Sequence, residues 1–365
     1  MTHEAHRRWL ALVPRDTVQV RDGRSFDAGA GGVAHTVRPW PSTVAGALVP
    51  ALGGEPESVR GPVLAQEVDG HWTPHLPVPL DLVRESGRED VWRLRLPEAD
   101  PGVSSDLAAL ARPHGIPDLR SLSAPEGAED TEPLAGLVPG HVLRSYLHGE
   151  LEDDEGLLSV SDLEQPEDPL SPETRVGLGL DPNTRTAKTG LLYTSTHLRL
   201  AEDWAFCAEV TPTPKQHRAV ESPAGPVRFG GLSRLADVAP ARGLHWPDAP
   251  LAYPEGKVLV YVATPAVWER GWLPPLPPNA DLVAACVGDP LPVATASPVQ
   301  DHQHFLRTRT LMWAVPPGSV YYLKFLNPDD AEHWVKQSHR TALGPAARKR
   351  LDTAGFGVVL TGVWS

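Results

Sequence analysis

Three groups of residues in this chain have types and spacings that could do chemistry. Asp301-His-Gln-His304 places two histidines one residue apart beside an aspartate, a spacing zinc accepts, but no third ligand motif sits nearby. No metal centre is expected from it. Single histidines such as His35 and His197 have the chemistry of a ribonuclease base, yet nothing in the sequence places a second proton-transfer group beside either. The third group is basic and hydroxylic. Arg185, Thr186 and Lys188 cluster within a few residues, Arg175 precedes them, and Ser42-Thr43 stands at the start of an apolar helical pattern. Guanidinium, ammonium, hydroxyl and open backbone are the groups that hold a phosphodiester chain. Motifs for other chemistries are missing: there is no Walker phosphate loop, and Gly230-Gly-Leu-Ser233 lacks the second glycine of a nucleophile elbow. No catalytic residue and no cofactor are assigned.

These side chains need elements to position them. From Thr174 to Tyr193 the apolar Val176, Leu178 and Leu180 alternate with glycines, Asp181-Pro-Asn183 signals a turn, and Leu191-Leu-Tyr193 resumes the apolar run. This predicts a long hairpin with Arg185, Thr186 and Lys188 at its tip. Gly177, Gly179 and Gly190 suggest close approach by something outside the sheet. The same pattern also suits an ordinary surface hairpin with solvated charges. Pro39-Trp-Pro-Ser-Thr-Val-Ala-Gly-Ala-Leu48 predicts a helix with Ser42 or Thr43 as N-cap and Val44, Ala47, Leu48 and Leu52 on one face. Its first amides offer a phosphate site; alternatively the two hydroxyls only cap the helix.

Charge looks unfavourable for nucleic acid until its distribution is read. The chain has 365 residues and a formal net charge of -13. Residues 125–173 hold fourteen acidic residues and one basic one, Arg144, so the remainder of the chain is balanced. Those proline-broken acidic runs are of a type that stays solvated or disordered. Arginine outnumbers lysine 27 to 6, which a G+C-rich genome explains without any ligand. No apolar run approaches membrane-spanning length and the amino terminus lacks a signal pattern, so a cytoplasmic protein is expected. Cys207 and Cys286, far apart in sequence, read as small buried residues in a reducing compartment.

Along the chain, strands outnumber helices and no regular βα alternation appears, which predicts an α+β protein. Residues 9–14 with 17–20, a hairpin turning at Asp69-Gly70, Val91–Leu96, Trp204–Val210, Lys257–Ala263, Asp281–Val287, Thr310–Val315 and Val320–Phe325 read as strands. In Val91–Leu96 the alternation places Arg93 and Arg95 towards solvent. Helix signals cover His141–His148, ended by Gly149, Ala331–Ser338 and Ala346–Thr353. Pro212, Pro214 and Pro223 mark a boundary near residue 220, giving domains 1–220 and 221–365, with the acidic insert 125–173 and the hairpin 174–200 in the first.

In their order these motifs resemble the RAMP-superfamily subunit of type III-B (Cmr) CRISPR effector complexes that holds the 5′ handle of the guide RNA. The resemblance rests on Arg21-Asp-Gly-Arg-Ser-Phe26, Pro39-x-Pro-Ser-Thr-x-x-Gly-Ala-Leu48, the hairpin from Arg175 to Tyr193 and Leu198-Arg-Leu200. It continues through Ala263-Thr-Pro265 with Gly271-Trp-x-Pro274, Ala314-Val-Pro-Pro-Gly-Ser-Val-Tyr321 and Gly355-Phe-Gly357. Two departures are visible: Leu232 stands where the family commonly has an acidic residue, and the acidic insert is longer than usual. The resemblance implies two ferredoxin-like (RRM-like) domains and a non-catalytic role in antiviral defence. It also implies a partner set of crRNA, the large cyclase/polymerase-type subunit and the backbone RAMP subunit. Arg21, Arg24, Ser42 and Thr43 would line the phosphate path, and Arg175, Arg185, Thr186 and Lys188 would clamp the RNA. Tyr193 or Phe26 would stack on a base, and Arg234 joins this set. The alternative is a guide-RNA processing endoribonuclease of the same superfamily.

Overall fold

Period-two apolar patterns dominate the chain, and the fold they produce in the computed structural model is almost entirely antiparallel sheet. Residues 7–20, 36–97, 116, 119–124, 130–151, 157–181, 183–295, 310–343 and 351–365 are described. The chain opens with β1 (Arg8–Pro14) and β2 (Thr17–Val18), then α1 (Pro41–Ala51), β3 (Ser58–Val68), β4 (His71–Pro77), β5 (Leu82–Glu85) and β6 (Asp90–Arg93). It continues with β7 (Thr131–Pro133), β8 (Leu137–Pro139), α2 (Gly140–His148), β9 (Leu157–Ser159), β10 (Leu170–Leu180), β11 (Ala187–Leu200) and β12 (Trp204–Thr211). The short α3 (His217–Glu221), β13 (Val227–Arg228) and β14 (Leu235–Pro240) follow. The last part holds β15 (Lys257–Val262), β16 (Ala280–Cys286), β17 (Leu291–Thr295), β18 (Thr310–Ala314), β19 (Val320–Phe325), α4 (Pro328–Ser338), β20 (Thr341–Ala342) and β21 (Val358–Gly362).

Two large sheets organise these strands. One has the order β13-β14-β1-β12-β3-β4-β8 and the other β16-β19-β15-β21-β20. Their central strands are the most apolar, as strands covered on both faces must be: β12 and β15 are buried along nearly their whole length. Alternation along β1 sends Leu10 and Leu12 to one core, with Val44 and Leu48 of α1 and Phe206. Trp9 and Ala11 go to the opposite face, into a core shared with Tyr146 of α2 and Leu259 and Tyr261 of β15. The two sheets are thus joined through a common apolar layer. Smaller sheets, β7-β5-β6-β9, β17-β18 and β10-β11-β2, surround them.

Local chemistry sets the element ends. The β3–β4 turn falls at Asp69-Gly70, both at positive φ, as two-residue hairpins require. Gly149 ends α2 in the left-handed conformation. Asn327 caps α4 by accepting from Asp329 N at 3.1 Å, with Pro328 and two aspartates in the first turn. Gly355 sits at φ +101, where a Cβ would stand 2.5 Å from Gly61 O, so no other residue fits this contact between the C-terminal segment and β3.

The junction is fixed by a buried carboxylate. Asp81 is wholly inaccessible. It accepts from Tyr146 Oη at 2.7 Å, Tyr322 Oη at 2.6 Å and Arg93 Nε at 3.2 Å, linking α2, β19 and β6. Burial, then the Asp81 charge, pushes both tyrosine hydroxyls well above their ordinary range, so they remain donors. Arg93 also lies 4.4 Å over the Tyr146 ring. Of the two arginines expected to face solvent, Arg95 is exposed, whereas Arg93 shares the buried face with Val91 and is tolerated there because Asp81 compensates it.

The described parts of the acidic segment are built into the fold with exposed carboxylates. Residues 130–151 and 157–173 form β7, β8, α2, β9 and the start of β10, with Glu132 paired to Arg84 and Glu164 to His141. Strand β11 runs on to Leu200 at the root of the hairpin. Most of the helix expected over 346–353 lies outside the described residues, and Leu351–Thr353 forms turns. Among the described residues no helix is long and apolar enough to cross a membrane.

Asp81→Ala is expected to destabilise the protein by about 3–5 kcal/mol, because it removes the carboxylate that compensates the buried Arg93 and the main acceptor of two buried tyrosine hydroxyls. Tyr322→Phe, which removes one donor, is expected to cost about 2 kcal/mol. Urea denaturation followed by tryptophan fluorescence measures both, and equal midpoints for wild type and Asp81→Ala would show that the network contributes nothing.

Candidate nucleic-acid interface

The predicted hairpin is present. Strand β10 pairs with β11 from Leu170↔Leu200 to Leu180↔Ala187, with one irregularity between Leu178 and Leu180. At its root β11 pairs with β2 through Leu198↔Val18 and Arg199↔Thr17, which fastens the hairpin beside the end of β1. Because side chains alternate, the hairpin has two unlike faces. One face carries Glu173, Arg175, Ser195, His197 and Arg199, while Val176, Leu178 and Leu180 stand exposed on the other.

Asp16, in the bend between β1 and β2, gathers three arginines onto the polar face. Arg175 Nη2 lies 3.0 Å from Asp16 Oδ2, Arg199 Nη2 3.0 Å from Oδ1, and Arg234 Nη1 2.6 Å from Oδ2. Glu173 bridges two of them again, at 2.7 Å to Arg175 Nε and 2.7 Å to Arg199 Nε. Hydrogen bonds from Arg175 lead in holding both the Asp16 and Glu173 carboxyls below their usual range. Three guanidiniums against two carboxylates leave one positive charge in excess. The Arg175, Arg199 and Arg234 side chains remain 31%, 48% and 24% exposed, so an anion can reach them.

Arg234 is delivered by a tight turn. Gly231 N donates to Gln19 O at 2.6 Å, and Leu232 and Ser233 both sit at φ +54. A Cβ on Gly230 would stand 2.7 Å from Gln19 O, which explains the glycine. At the far end of the hairpin, Asp181 Oδ1 accepts from Asn183 N at 2.9 Å and Thr184 N at 3.0 Å. This carboxylate-capped turn holds Arg185 at φ +57, with Arg185 and Thr186 exposed.

His197 lies under the cluster but is not disposed as a base. It is 1% exposed, with Nδ1 3.0 Å from Thr17 Oγ1 and Nε2 3.3 Å from Ser195 Oγ. Burial, then the charges of Arg234 and Arg175, lowers its pKa and keeps it neutral. Both ring nitrogens are occupied by protein hydroxyls. Among the described residues no group of three or more His, Cys, Asp or Glu side chains could hold a metal ion.

The helix predicted after Pro39 also forms, with Val44, Ala47, Leu48 and Leu52 buried as expected. Its N-cap is Trp40, not Ser42 or Thr43, because Pro41 is the first helical residue and the amides of Thr43 and Val44 turn back to Trp40 O. No side-chain cap is made, so the half-exposed Ser42 and Thr43 hydroxyls are not committed to the helix start.

A family model described as CRISPR-associated protein (Cas_Cmr3) matches residues 10–364. The chain belongs to the Cmr3 family. Solved structures give two similar chains from assemblies described as type III-B Cmr-beta bound to cognate target RNA. One, without further ligand in its description, is 13% identical over 86% of both chains with a TM-score of 0.47. The other, with AMPPnP, is 14% identical over 86% of both chains, also with a TM-score of 0.47. A chain of a Csm3-Csm4 subcomplex from a type III-A CRISPR-Cas interference complex is 9% identical over 88% of this chain and 94% of that one, with a TM-score of 0.36. No curated protein sequence matches the chain.

Of the residues singled out in this Cmr3-family sequence, Arg175 and Arg234 converge, although 59 positions separate them. Arg185 and Thr186 lie at the opposite end of the hairpin, and Ser42 and Thr43 at the start of α1. Lys188 and Tyr193 lie on β11, with side chains outside the described set, as are Arg21, Arg24, Phe26, His35 and the Asp301–His304 cluster. Asp16, Glu173 and Arg199 were not singled out. The alternation His197-Leu-Arg-Leu200 was the available signal, since it places Arg199 on the face of His197.

The carboxylates' lowered pKa values mean that their contribution to stability is complete above ordinary values of 3.8 for Asp16 and 4.5 for Glu173, and is lost as pH falls through the lower folded values. Hydrogen exchange should therefore show the root of β10–β11 protected at pH 5 and progressively less so below about pH 3.8. Asp16→Ala should produce the same local loss at neutral pH while leaving the melting temperature nearly unchanged, because these ion pairs are substantially exposed. Unchanged exchange in that variant would show that the cluster does not hold the hairpin.

Proposed function

We propose that this Cmr3-family protein is the non-catalytic crRNA-binding subunit of a type III-B effector, anchoring the 5′ handle of the guide RNA. In this reading it also bridges the large cyclase/polymerase-type subunit to the first backbone RAMP subunit, and its two halves are elaborated ferredoxin-like units. The observation that carries the proposal is the convergence of Arg175, Arg199 and Arg234 at the hairpin root, with a net positive charge and with guanidinium edges open to water. A phosphate can extend this ion-pair network without dismantling it, since each arginine has more donors than the two carboxylates use. Arg185 and Thr186 at the exposed tip, and the uncommitted hydroxyls of Ser42 and Thr43, would contact further stretches of backbone. The cytoplasm is where such a complex meets its RNA.

The enclosure of His197 supports binding over cleavage. A general base must reach a ribose hydroxyl, directly or through one water, and this ring has both nitrogens spent on Thr17 and Ser195.

The protein co-purified with its large subunit should bind guide RNA with an intact handle more tightly than RNA with a scrambled handle, and the RNA should stay whole. Arg199→Ala is expected to weaken binding by about tenfold and to reduce the slope of log affinity against log salt by about 0.7, the loss of one single-strand phosphate contact. Arg185→Ala should weaken binding as well. Equal affinity for both RNAs would reduce the role to general scaffolding, and RNA cleavage that disappears in His197→Ala would replace anchoring by processing.

A further inference from the structure

The two carboxylates at the hairpin root gather its arginines, and they also decide which donors are left for a ligand. Glu173 takes the Nε edge of two guanidiniums: Oε1 lies 2.7 Å from Arg175 Nε and 2.6 Å from its Nη2, and Oε2 lies 2.7 Å from Arg199 Nε and 2.5 Å from its Nη2. The same two Nη2 atoms also reach Asp16. That edge, with its parallel N–H groups, would otherwise grip a phosphate bidentately. Each arginine keeps one terminal amino group without a partner among the described residues: Nη1 of Arg175, Nη1 of Arg199 and Nη2 of Arg234. Those of Arg175 and Arg234 are open to solvent, unlike Arg234 Nε, which is buried and unpaired, and the Arg199 side chain is half-exposed. Asp16 and Glu173 are themselves 40% and 30% exposed, so an anion that reaches these amino groups stands beside two negative charges.

We propose that Asp16 and Glu173 are specificity-determining residues of the RNA site, an inference that deepens the anchoring role and rests on that reading. Charge is the reason. Without the carboxylates the root would present three positive charges and open bidentate edges, a surface that holds any phosphodiester chain. With them the excess falls to one, and a phosphate gains only where its oxygens meet the remaining amino groups. An RNA fixed in register by its other contacts delivers a phosphate to those groups. RNA without that register meets the carboxylates instead, and like charge turns it away. A purely structural role makes the opposite forecast: removing either carboxylate would loosen the hairpin and weaken every RNA alike.

The test uses the complex with the large subunit and guide RNAs with an intact or a scrambled handle, across a salt series. Asp16→Asn and Glu173→Gln remove a charge and keep an acceptor oxygen. Each is expected to tighten scrambled-handle RNA about fivefold at about 0.1 M salt, the effect of one further counterion released from a single strand, and to steepen its salt slope by about 0.7. Intact-handle RNA should not tighten, because the freed edges gain charge and lose direction, so the preference for the handle falls about fivefold. Hydrogen exchange at the β10–β11 root shows whether a variant has loosened the hairpin; loosening alone does not steepen a salt slope, so the slope reports the charge role in either case. Equal tightening of both RNAs would make the carboxylates a general brake on RNA and overturn the selective role. Unchanged or weaker binding of scrambled-handle RNA would reduce them to supports of the hairpin and overturn it too, and anchoring stands after both outcomes. A wild type that binds the two RNAs equally overturns anchoring, and this inference with it.

Discussion

Asp81 is the constraint on which the arrangement of the molecule depends. One carboxylate, fully enclosed, accepts hydrogen bonds from α2, β6 and β19, the last from a residue 241 positions away in sequence. Buried ionised groups are costly, and a site of this kind persists only when every partner is in place. It therefore specifies one docking of the two sheets among the many that apolar contact alone would permit. The core around it is correspondingly mixed, with Tyr146 and Leu147 from the first half packed against Leu259, Tyr261 and Val358 from the second.

A second carboxylate performs a related task at the surface. Asp16 stands in a two-residue bend between strands that belong to different sheets, and it draws together arginines from β10, β11 and the Gly230–Arg234 turn. Without it three guanidiniums would repel one another. With it they form a cationic edge that is already ordered before any ligand arrives, which lowers the entropy lost on binding. The cost is that the cluster's net charge is small, and binding by it relies on donors in defined directions more than on bulk attraction.

The sequence showed local structure well and pairing poorly. The hairpin at 170–200, the β3–β4 turn, the helix ended by Gly149 and the central strands β12 and β15 follow from alternation, turn residues and apolar runs, all of which act over short distances. The solvent-facing placement expected for Arg93 fails because its burial rests on a partner twelve residues earlier that no local pattern identifies. The short strands of the acidic segment were not legible for a similar reason: Glu132 and Glu164 pair with Arg84 and His141, and strands as short as β7 and β9 depend on their neighbours. At the interface Arg175 was legible as a hairpin residue. That Arg199 and Arg234 share its carboxylate depends on the β2–β11 pairing, and the resemblance of motifs carries no such geometric detail.

The hairpin's other face has a consequence for the protein as a material. Among the described strands β10 is the terminal one of its three-stranded sheet, eleven residues long, and Val176, Leu178 and Leu180 are 67%, 56% and 57% exposed along it. A long apolar edge with open backbone is a template on which a second copy can add its own strand. Bulky charge is the usual guard, and here two of the intervening positions are glycines that provide none. The chain is thus built to be covered: kept alone at high concentration it will tend towards edge-to-edge aggregation, and whatever caps β10 acts as its solubilising agent as well as its neighbour.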